Sequence, residues 1–507
     1  MPDRNIAAAP LERIAVVDLG SNSLRLVVFG RLGATLLPLL NEKVMCALGR
    51  GISASGRLNP EGVELALANL QRFVALARAL SVDHLAIIAT AAVRDAEDGR
   101  AFAALAEREC GLPVRIVEGD EEARLSAAGV LAGIRAADGV VGDLGGGSVE
   151  LVRVDAAASV PIGAGVTLPL GPLRLAEFAD NRKALAEIVD RAFADTPVVR
   201  ETAGRSLYLV GGAWRAIARL HMEQTQYPLH IIHEYTVARR PAEEFLDIVA
   251  GQSRRSLERI TAISRRRLDV VPLAALVLRR LIAAGRPERI VFSAFGLREG
   301  YAFGLLPREA PCDPLLDACI GIAETQSRWR GADGERLQRW IAPAFPELDA
   351  DRRRLHLAVC WLSDIAWTEH PDYRAGHAFA RSLTMPLAQL DHVERVFIAT
   401  ALHARYGGAT DDPVKAPTQM LLDPTAAAAA RGLGLALRLA YTLTGGALEL
   451  LNQVRLRRER ESLLLDLPAA GSLFTGETVQ RRLDALARAL GLEAPAARRK
   501  IGSPALA

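Results

Sequence analysis

Residues 139–154, GVVGDLGGGSVELVRV, decide the fold. The apolar start, the three glycines and the apolar end predict a β-hairpin with a glycine turn. Asp143 ends the incoming strand, Ser148 closes the turn and Glu150 lies on the outgoing strand. Such a turn needs residues that can adopt positive φ and let the backbone approach a ligand closely, which glycine permits.

A near copy of this hairpin occupies residues 13–30, RIAVVDLGSNSLRLVVFG. Both copies share the pattern Asp-Leu-Gly-x-x-Ser between two apolar runs, and Asp18 corresponds to Asp143. Two similar hairpins in one chain predict two similarly folded halves whose turns line a common cleft. A pair of unrelated hairpins is the alternative, and the matching Asp and Ser positions argue against it.

The two turns carry groups that suit phosphate. Backbone N–H groups of glycine-rich turns form anion-binding concavities, and Ser and Asn side chains add donors. Asp18 and Asp143 would supply hard oxygen ligands for a Mg²⁺ ion that bridges the bound phosphates. The hairpins therefore predict a site for a phosphate-rich ligand and a divalent cation.

Length and composition limit the remaining classes. At 507 residues the chain exceeds what one core usually supports, so we expect two to four domains. The net charge of +3 does not favour a nucleic-acid-binding protein. The 5 cysteines are scattered without CxxC spacing, which is typical of reduced thiols in a cytoplasmic protein. The sequence shows no secretory signal and no apolar run of about 18 residues, so we expect no membrane span.

Strand and helix patterns alternate between and beyond the hairpins, which favours an α/β fold. A helix is predicted to begin near residue 120, with Glu122 in its first turn. Capping and compensation of the helix dipole explain the acidic residues there, but not the position of the helix directly before the second hairpin. A strand at 206–210 leads to Gly211-Gly212-Ala213-Trp214 and a helix, a weaker anion-binding pattern.

The pattern changes around Pro307, Pro311 and Pro314, which predict a linker. Beyond it long helical patterns dominate, and residues 448–468 alternate like two strands. The last third of the chain is therefore expected to be helical with a small β-hairpin.

Five motifs together carry a resemblance: VVDLGSNSLRLVV, ATAAVRDA, EGDEEARLSAAGV, VVGDLGGGSVELV and FSAFGLREGYAFGLL. In this order they resemble the exopolyphosphatase / guanosine pentaphosphate phosphohydrolase family of the actin-like ATPase superfamily. The resemblance implies two actin-like (ribonuclease H-like) α/β domains that face each other across a cleft, followed by a mainly helical region similar to HD phosphohydrolases with a small β-hairpin. The expected bounds are 1–125 and 126–308 for the two actin-like domains, 309–445 for the HD-like domain and 446–507 for a small α+β element.

The resemblance also implies roles for individual residues. Glu122 would be the general base that activates the attacking water. Asp143 and Glu150 would hold Mg²⁺, with Mn²⁺ as the alternative, and Asp18 would help from the opposing hairpin. The residues expected to contact phosphate are Ser21, Asn22, Ser23, Arg94, Gly145, Gly146, Gly147, Ser148 and, on the third loop, Gly211 and Gly212.

Two departures from the family pattern carry expectations of their own. The third loop has Trp214 where small and hydroxyl residues are usual, which puts its phosphate contact in doubt and would narrow the cleft. In the HD-like segment, Ser363-Asp364 stands where a metal-dependent HD enzyme needs His-Asp. A histidine ligand is missing, so we expect no second hydrolase centre and structural roles for Asp364, His370 and His377.

The leading hypothesis is an exopolyphosphatase that releases orthophosphate from the ends of inorganic polyphosphate. Hydrolysis of guanosine pentaphosphate is the alternative within the family, and the motifs do not separate the two. A non-catalytic sensor of polyphosphate or of guanosine tetra- and pentaphosphate, and an actin-like ATP-binding protein, are alternatives of another class. A homodimer is expected.

A long anionic substrate would also need a basic track. Arginine clusters at 265–267, 352–354 and 455–460 are candidates, although a solvated face explains each cluster taken alone.

Overall fold

The N-terminal hairpin lies at the centre of a five-stranded sheet. The computed structural model describes residues 13–32, 35–178, 181–252, 268–306, 313–328, 333–468, 476–495 and 498–499. The first five strands are β1 (Arg13–Leu19), β2 (Leu24–Leu32), β3 (Thr35–Val44), β4 (His84–Ala89) and β5 (Val114–Ile116). Their order is β3-β2-β1-β4-β5, with β1 and β2 antiparallel and β4 parallel to β1.

The second hairpin lies at the centre of a six-stranded sheet with the same plan. Its strands are β6 (Asp138–Leu144), β7 (Val149–Asp155), β8 (Ile162–Leu168), β9 (Ser206–Val210), β10 (Tyr235–Ala238) and β11 (Arg289–Phe292). Their order is β10-β11-β9-β6-β7-β8, with β6 and β7 antiparallel and β9 parallel to β6. Strands β6 to β9 therefore repeat the places of β1 to β4, which confirms the predicted duplicated α/β fold.

Helices cover the faces of both sheets, as alternating strand and helix patterns require. They are Ile52–Ser55, Pro60–Ala79, Ala91–Asp95, Gly99–Cys110, Gly119–Gly133, Pro172–Leu175, Arg182–Ala194, Pro197–Arg200, Gly212–Gln224, Arg239–Gly251, Val271–Gly285 and Leu297–Gly304, with a 3₁₀ turn at Ala176–Phe178. Phe73 packs in the core of the first sheet, and Phe193 and Trp214 pack in the largest core of the second. Ala123 and Ala127 place the helix that carries Glu122 against the other face of the second sheet.

The structure divides into two compact units, Met1–Ala310 and Pro311–Ala507. Of the three prolines expected in the linker, Pro307 and Pro311 lie outside the described residues, and Pro314 begins a helix.

The second unit is mainly helical. Its helices are Pro314–Gln326, Gly334–Ile341, Ala350–Leu362, Arg374–Thr384, His392–Arg405, Pro424–Thr444 and Glu477–Ala489, with 3₁₀ segments at Ala342–Ala344, Pro413–Leu421 and Leu448–Gln453. The predicted hairpin consists of β12 (Arg455–Glu459) and β13 (Ser462–Leu467), and β14 (Arg498–Arg499) adds a parallel strand that the sequence did not predict.

In the HD-like segment, Asp364 is buried and forms an ion pair with Arg328. Asp364 is 3% exposed, and its Oδ1 atom lies 2.7 Å from Nη2 of Arg328. His370 and His377 are exposed, and Nδ1 of His377 lies 3.0 Å from a carboxylate oxygen of Glu369. A structural part for Asp364 follows from this ion pair, while the lack of a second hydrolase centre stays a prediction.

The segment LHIIHEYTV, residues 229–237, is a strand only in its last part, although its apolar pattern is typical of a strand that would place His230 and His233 on opposite faces. The strand begins only at Tyr235, and both histidines precede it in a loop. His233 is buried there, with Nε2 hydrogen-bonded to the carbonyl oxygen of Gly133 at 2.9 Å.

A substitution at Trp214 tests how much this side chain stabilises the core of the six-stranded sheet. Its side chain is 0% exposed, and its indole N–H donates to the carbonyl oxygen of Ala274 at 3.1 Å. Trp214→Ala should lower the free energy of unfolding by about 3–5 kcal/mol, because it opens a large cavity and leaves a buried acceptor unpaired. Urea unfolding followed by circular dichroism measures the change. Phe178→Ala, at an exposed aromatic residue of the same unit, should change it by less than about 0.5 kcal/mol; equal effects would contradict the assignment.

Candidate active site

The two hairpin turns line one cleft of about 340 Å³. The backbone makes the same contact in both: the N–H of Gly20 donates to the carbonyl of Ser23 at 3.1 Å, and the N–H of Gly145 donates to that of Ser148 at 3.0 Å. Of the residues predicted for the site, those that line the cleft are Asp18, Ser21, Asn22, Ser23, Glu122, Asp143, Gly145, Gly146, Ser148, Gly211 and Gly212. The structure therefore brings residues from three separate turns to one place.

None of the three glycines of the second turn adopts the left-handed φ that the sequence led us to expect. The two turns nevertheless approach each other so closely that a side chain at Gly146 would crowd the opposing turn. A Cβ atom on Gly146 would lie 3.0 Å from Cβ of Ser21 in the opposing turn and 2.9 Å from Cδ1 of Leu173. Gly147, in the same turn, does not line the cleft. It lies next to Ser21 and Ala91 and borders a small neighbouring pocket.

Four carboxylates gather on the cleft and beneath it. Asp18 and Asp143 occupy the last position but one of the equivalent strands β1 and β6, and Glu150 pairs with Asp143 across the second hairpin. Glu150 is 1% exposed, and neither of its carboxylate oxygens has a hydrogen-bond partner in the part of the chain that the structure describes. Burial and the charges of Glu122 and Asp143 raise the pKa of Glu150 well above its usual value. Burial therefore favours the neutral form of Glu150 unless a cation lies beside it.

The acids fit the coordination habits of Mg²⁺. Among the described residues no three His, Cys, Asp or Glu side chains are close enough to hold one metal ion together. Mg²⁺ keeps several waters and is commonly held by one or two carboxylates together with substrate phosphates. Asp143, which accepts a hydrogen bond from the hydroxyl of Ser126, and Glu150, with its two unpaired oxygens, are suited to that arrangement.

Glu122 lies in the first turn of helix Gly119–Gly133 and is 7% exposed. Nη1 of Arg94 donates to its Oε2 at 2.9 Å and also to the carbonyl oxygen of Val117 at 3.1 Å. Burial raises the pKa of Glu122 to about 7, Arg94 opposes this rise, and the charges of Asp143 and Asp18 add to it. The structure thus places Arg94, which was predicted to contact phosphate, as the hydrogen-bond partner of Glu122 outside the cleft lining.

The third turn reaches the cleft through Gly211, Gly212 and Ala213. Gly211 has φ of 107°, and a Cβ atom there would lie 2.4 Å from the carbonyl oxygen of Leu144, so glycine is required. Trp214 points into the core of the second domain and does not line the cleft. The expectation that Trp214 narrows the cleft was wrong, because its indole is hydrogen-bonded to Ala274 on a neighbouring helix.

Sequence reasoning missed the cations of the cleft. They are Arg25, Lys43, Arg215, Arg219 and Arg298. The arginine clusters expected to guide an anion lie elsewhere: 352–354 and 455–460 belong to the second unit, and 265–267 lie outside the described residues. A weak signal existed, since Arg215 and Arg219 follow the glycine pair at i, i+4 spacing and share a helix face.

Arg298 is the most constrained of these cations. It is 6% exposed, and its Nε and Nη1 atoms are buried without a hydrogen-bond partner among the described residues. Its Nε lies 3.9 Å from Oδ2 of Asp18. Burial and repulsion by Arg298 and Arg215 lower the pKa of Arg25 to about 9. The site thus contains one arginine, Arg298, with two unpaired nitrogen atoms and one carboxylate, Glu150, with two unpaired oxygen atoms among the described residues.

None of the described helices is long and apolar enough to cross a lipid bilayer.

The duplicated sheets and facing turns define an α/β protein of the actin-like ATPase class. The chain belongs to the Ppx/GppA phosphatase family, whose model matches residues 26–309. A second model, described as the C-terminal region of exopolyphosphatases, matches residues 338–495. The predicted family is confirmed, and with it membership of a family of phosphohydrolases.

Relatives and solved structures agree with this assignment. The chain is similar to Exopolyphosphatase 2 of Mycobacterium tuberculosis, with 27% identity over 321 residues that cover 58% of this chain and 99% of that protein. It is also 24% identical over 444 residues to Retrograde regulation protein 2 of Saccharomyces cerevisiae, covering 78% of this chain and 72% of that protein. The structure of an exopolyphosphatase from Cytophaga hutchinsonii shares the fold with a TM-score of 0.52 at 22% identity, covering 58% of this chain and 97% of that one.

The two unpaired nitrogen atoms of Arg298 yield a prediction about anion binding. Arg298→Gln should weaken the binding of tripolyphosphate by about 10- to 100-fold, because a charge-assisted hydrogen bond contributes roughly 1.5–3 kcal/mol. Isothermal titration calorimetry measures the dissociation constant. Arg240→Gln removes the same charge from the exposed Arg240–Glu244 pair of the same unit and should leave the affinity unchanged. Equal losses in both variants would show that only net charge matters.

Proposed function

We propose that the protein is an exopolyphosphatase that hydrolyses the terminal phosphate of inorganic polyphosphate, with Mg²⁺ as cofactor and Glu122 as general base. One observation carries the proposal: a buried carboxylate with a pKa of about 7 borders a cleft formed by two glycine turns and five cations. The names of the mycobacterial relatives support the same substrate class.

The cleft offers what phosphoryl transfer to water needs. The transferred group carries its negative charge on oxygen atoms, so catalysis depends on positioning and on charge neutralisation. Residues of the glycine turns and Arg298 line the space where such oxygens would lie. Asp143, Glu150 and Asp18 would hold Mg²⁺, which would neutralise further charge on the phosphates when bound.

Glu122 would act on the attacking water. A base works best when its pKa lies near the working pH, and a pKa of about 7 satisfies this condition. The water oxygen attacks the terminal phosphorus atom, the carboxylate of Glu122 takes the water proton, and the bond to the bridging oxygen breaks. Orthophosphate leaves, and the shortened chain carries the charge of the former bridging oxygen. Arg94 holds the carboxylate in place and is a positioning residue.

Guanosine pentaphosphate hydrolysis is the second candidate, because the turns and cations of the cleft recognise phosphoryl oxygens and not the group beyond them. Phosphate release from long-chain polyphosphate and from guanosine pentaphosphate, measured with equal enzyme, decides between the two. Absence of release from the polymer would overturn the proposal. Calorimetry with ATP tests the actin-like alternative, since tight binding that depends on adenine would favour it. The cytoplasmic location and the homodimer stay predictions.

Glu122→Gln should lower kcat by about 10²- to 10⁴-fold and leave the affinity for polyphosphate largely intact, because glutamine keeps the shape and cannot accept the water proton. Orthophosphate release and calorimetry give the two quantities. Glu121→Gln is the matched control, since Glu121 is the preceding residue and pairs with exposed Arg115. Full turnover in Glu122→Gln would refute the role of the base.

Arg94→Gln tests the positioning role through pH. Arg94 lowers the pKa of Glu122 by a hydrogen bond and by its charge, so its removal raises that pKa further. A base must be deprotonated, and activity is lost as the pH falls through its pKa. The acidic limb of the kcat/KM profile should therefore move to higher pH in Arg94→Gln. A profile of unchanged position with a uniformly lower rate would indicate a merely structural role.

A further inference from the structure

The second unit contains a polar cavity of about 380 Å³ that plays no part in the reaction described above. Four arginines line it: Arg328 after helix Pro314–Gln326, Arg374 at the start of helix Arg374–Thr384, Arg405 at the end of helix His392–Arg405, and Arg438 within helix Pro424–Thr444. We call these four residues the arginine cluster. They come from four separate elements, so the fold, and not a local run of sequence, brings them together.

Among the described residues, Asp364 is the carboxylate recorded in ion pairs with this cluster, and it is already engaged. Asp364 accepts from Nη2 of Arg328 at 2.7 Å and from Nε of the same residue at 2.9 Å. Arg405 lies further away, with Nη2 3.7 Å from the carboxylate of Asp364. Arg374 donates to the main-chain carbonyl oxygens of Trp367 and Glu369, which carry no net charge. Positive charge therefore exceeds negative charge around the cavity.

Arg405 is buried without full compensation. It is 7% exposed, and its Nε atom has no hydrogen-bond partner among the described residues. The guanidinium carbon lies 3.7 Å from the ring centroid of Tyr441 and 4.7 Å from that of Tyr406. These rings stabilise the cation by cation–π contact, but they do not provide a hydrogen-bond acceptor atom for the N–H group at Nε. A buried guanidinium with an unused donor is costly unless a ligand completes it.

Arg438 is surrounded by like charge. Burial and the charges of Arg482, Arg405 and Arg431 together lower the pKa of its guanidinium to about 10, so it stays charged at neutral pH. An anion in the cavity would relieve this repulsion.

The surrounding groups select the kind of ligand. Guanidinium groups bind oxyanions through paired N–H donors, whereas a metal cation would meet four positive charges and a carboxylate already paired with Arg328. The ring faces of Tyr406 and Tyr441 that meet Arg405 are covered by its guanidinium, so they do not offer a stacking surface for a nucleotide base. Phosphate oxygens are the chemistry that fits.

We propose that the arginine cluster is a second anion site, separate from the catalytic cleft, that binds the phosphoryl groups of a condensed phosphate. These phosphoryl groups belong either to a polyphosphate chain or to a nucleotide, because guanidinium groups recognise the charged oxygen atoms that both ligands share. The site binds and does not hydrolyse.

Calorimetry of the full chain tests the site with tripolyphosphate as the probe. The Glu122→Gln variant serves as the starting protein so that hydrolysis does not intervene. Two binding events per chain are expected. Arg438→Gln in this protein should weaken one event by at least tenfold and leave the other unchanged, and Arg298→Gln should do the reverse. Failure of one site is therefore distinguishable from failure of the other.

Two further variants control for charge and folding. Arg352→Gln removes one positive charge from an exposed ion pair of the same unit and should change neither event. Arg438→Lys keeps the charge and loses the paired donors, so it should give an intermediate affinity even if Arg438→Gln proves unstable by circular dichroism. A single binding event in the starting protein, no effect of either Arg438 variant, or an equal loss in Arg352→Gln would overturn the proposal.

A parallel titration with GTP distinguishes a polyphosphate chain from a nucleotide as the ligand of this site. We expect tripolyphosphate to bind the Arg438-dependent event at least as tightly as GTP does. Tenfold tighter binding of GTP would keep the anion site and assign it to nucleotides.

Discussion

The close approach of two glycine turns is the constraint on which this structure depends. Gly146 passes so near Ser21 that a side chain larger than hydrogen would have to displace the opposing turn or Leu173. Because each turn follows the equivalent strand of its own sheet, the contact brings Asp18 and Asp143 to the same cleft. The duplicated fold therefore creates the acidic site, and no single domain could form it alone.

That geometry also sets the charges. Carboxylates crowded in a buried place resist ionisation, so the pKa of Glu122 rises to about 7 even though Arg94 lies 2.9 Å away. Arg298 is held 3.9 Å from Asp18 with two of its nitrogen atoms unpaired. A phosphate chain with a divalent cation would pair with both kinds of charge, since its oxygen atoms would meet the arginines and its cation would meet the carboxylates.

The sequence predicted the features that repeat or that follow a turn. The two hairpins were evident because Asp-Leu-Gly-x-x-Ser occurs twice between apolar runs, and the position of Glu122 followed from the helix before the second hairpin. The cations were missed because Arg25 and Arg298 stand alone in sequence and meet only through the fold of two sheets. Trp214 was misjudged because its neighbours in sequence are cleft residues, whereas a helix start turns successive side chains in different directions and sends this one into the core.

In the second unit, the pairing of one buried carboxylate determines the net charge of the neighbouring cavity. Asp364 is 3% exposed, and a buried carboxylate must be paired, by a metal ion or by a cationic side chain. Ser363 stands where a histidine ligand would be needed, and Arg328 supplies the positive charge instead. Once Asp364 is neutralised in this way, Arg405 and Arg438 leave the cavity with a net positive charge. The cavity would then attract an anion and not a cation, which is the same chemical preference that we propose for the cleft of the first unit through Arg298.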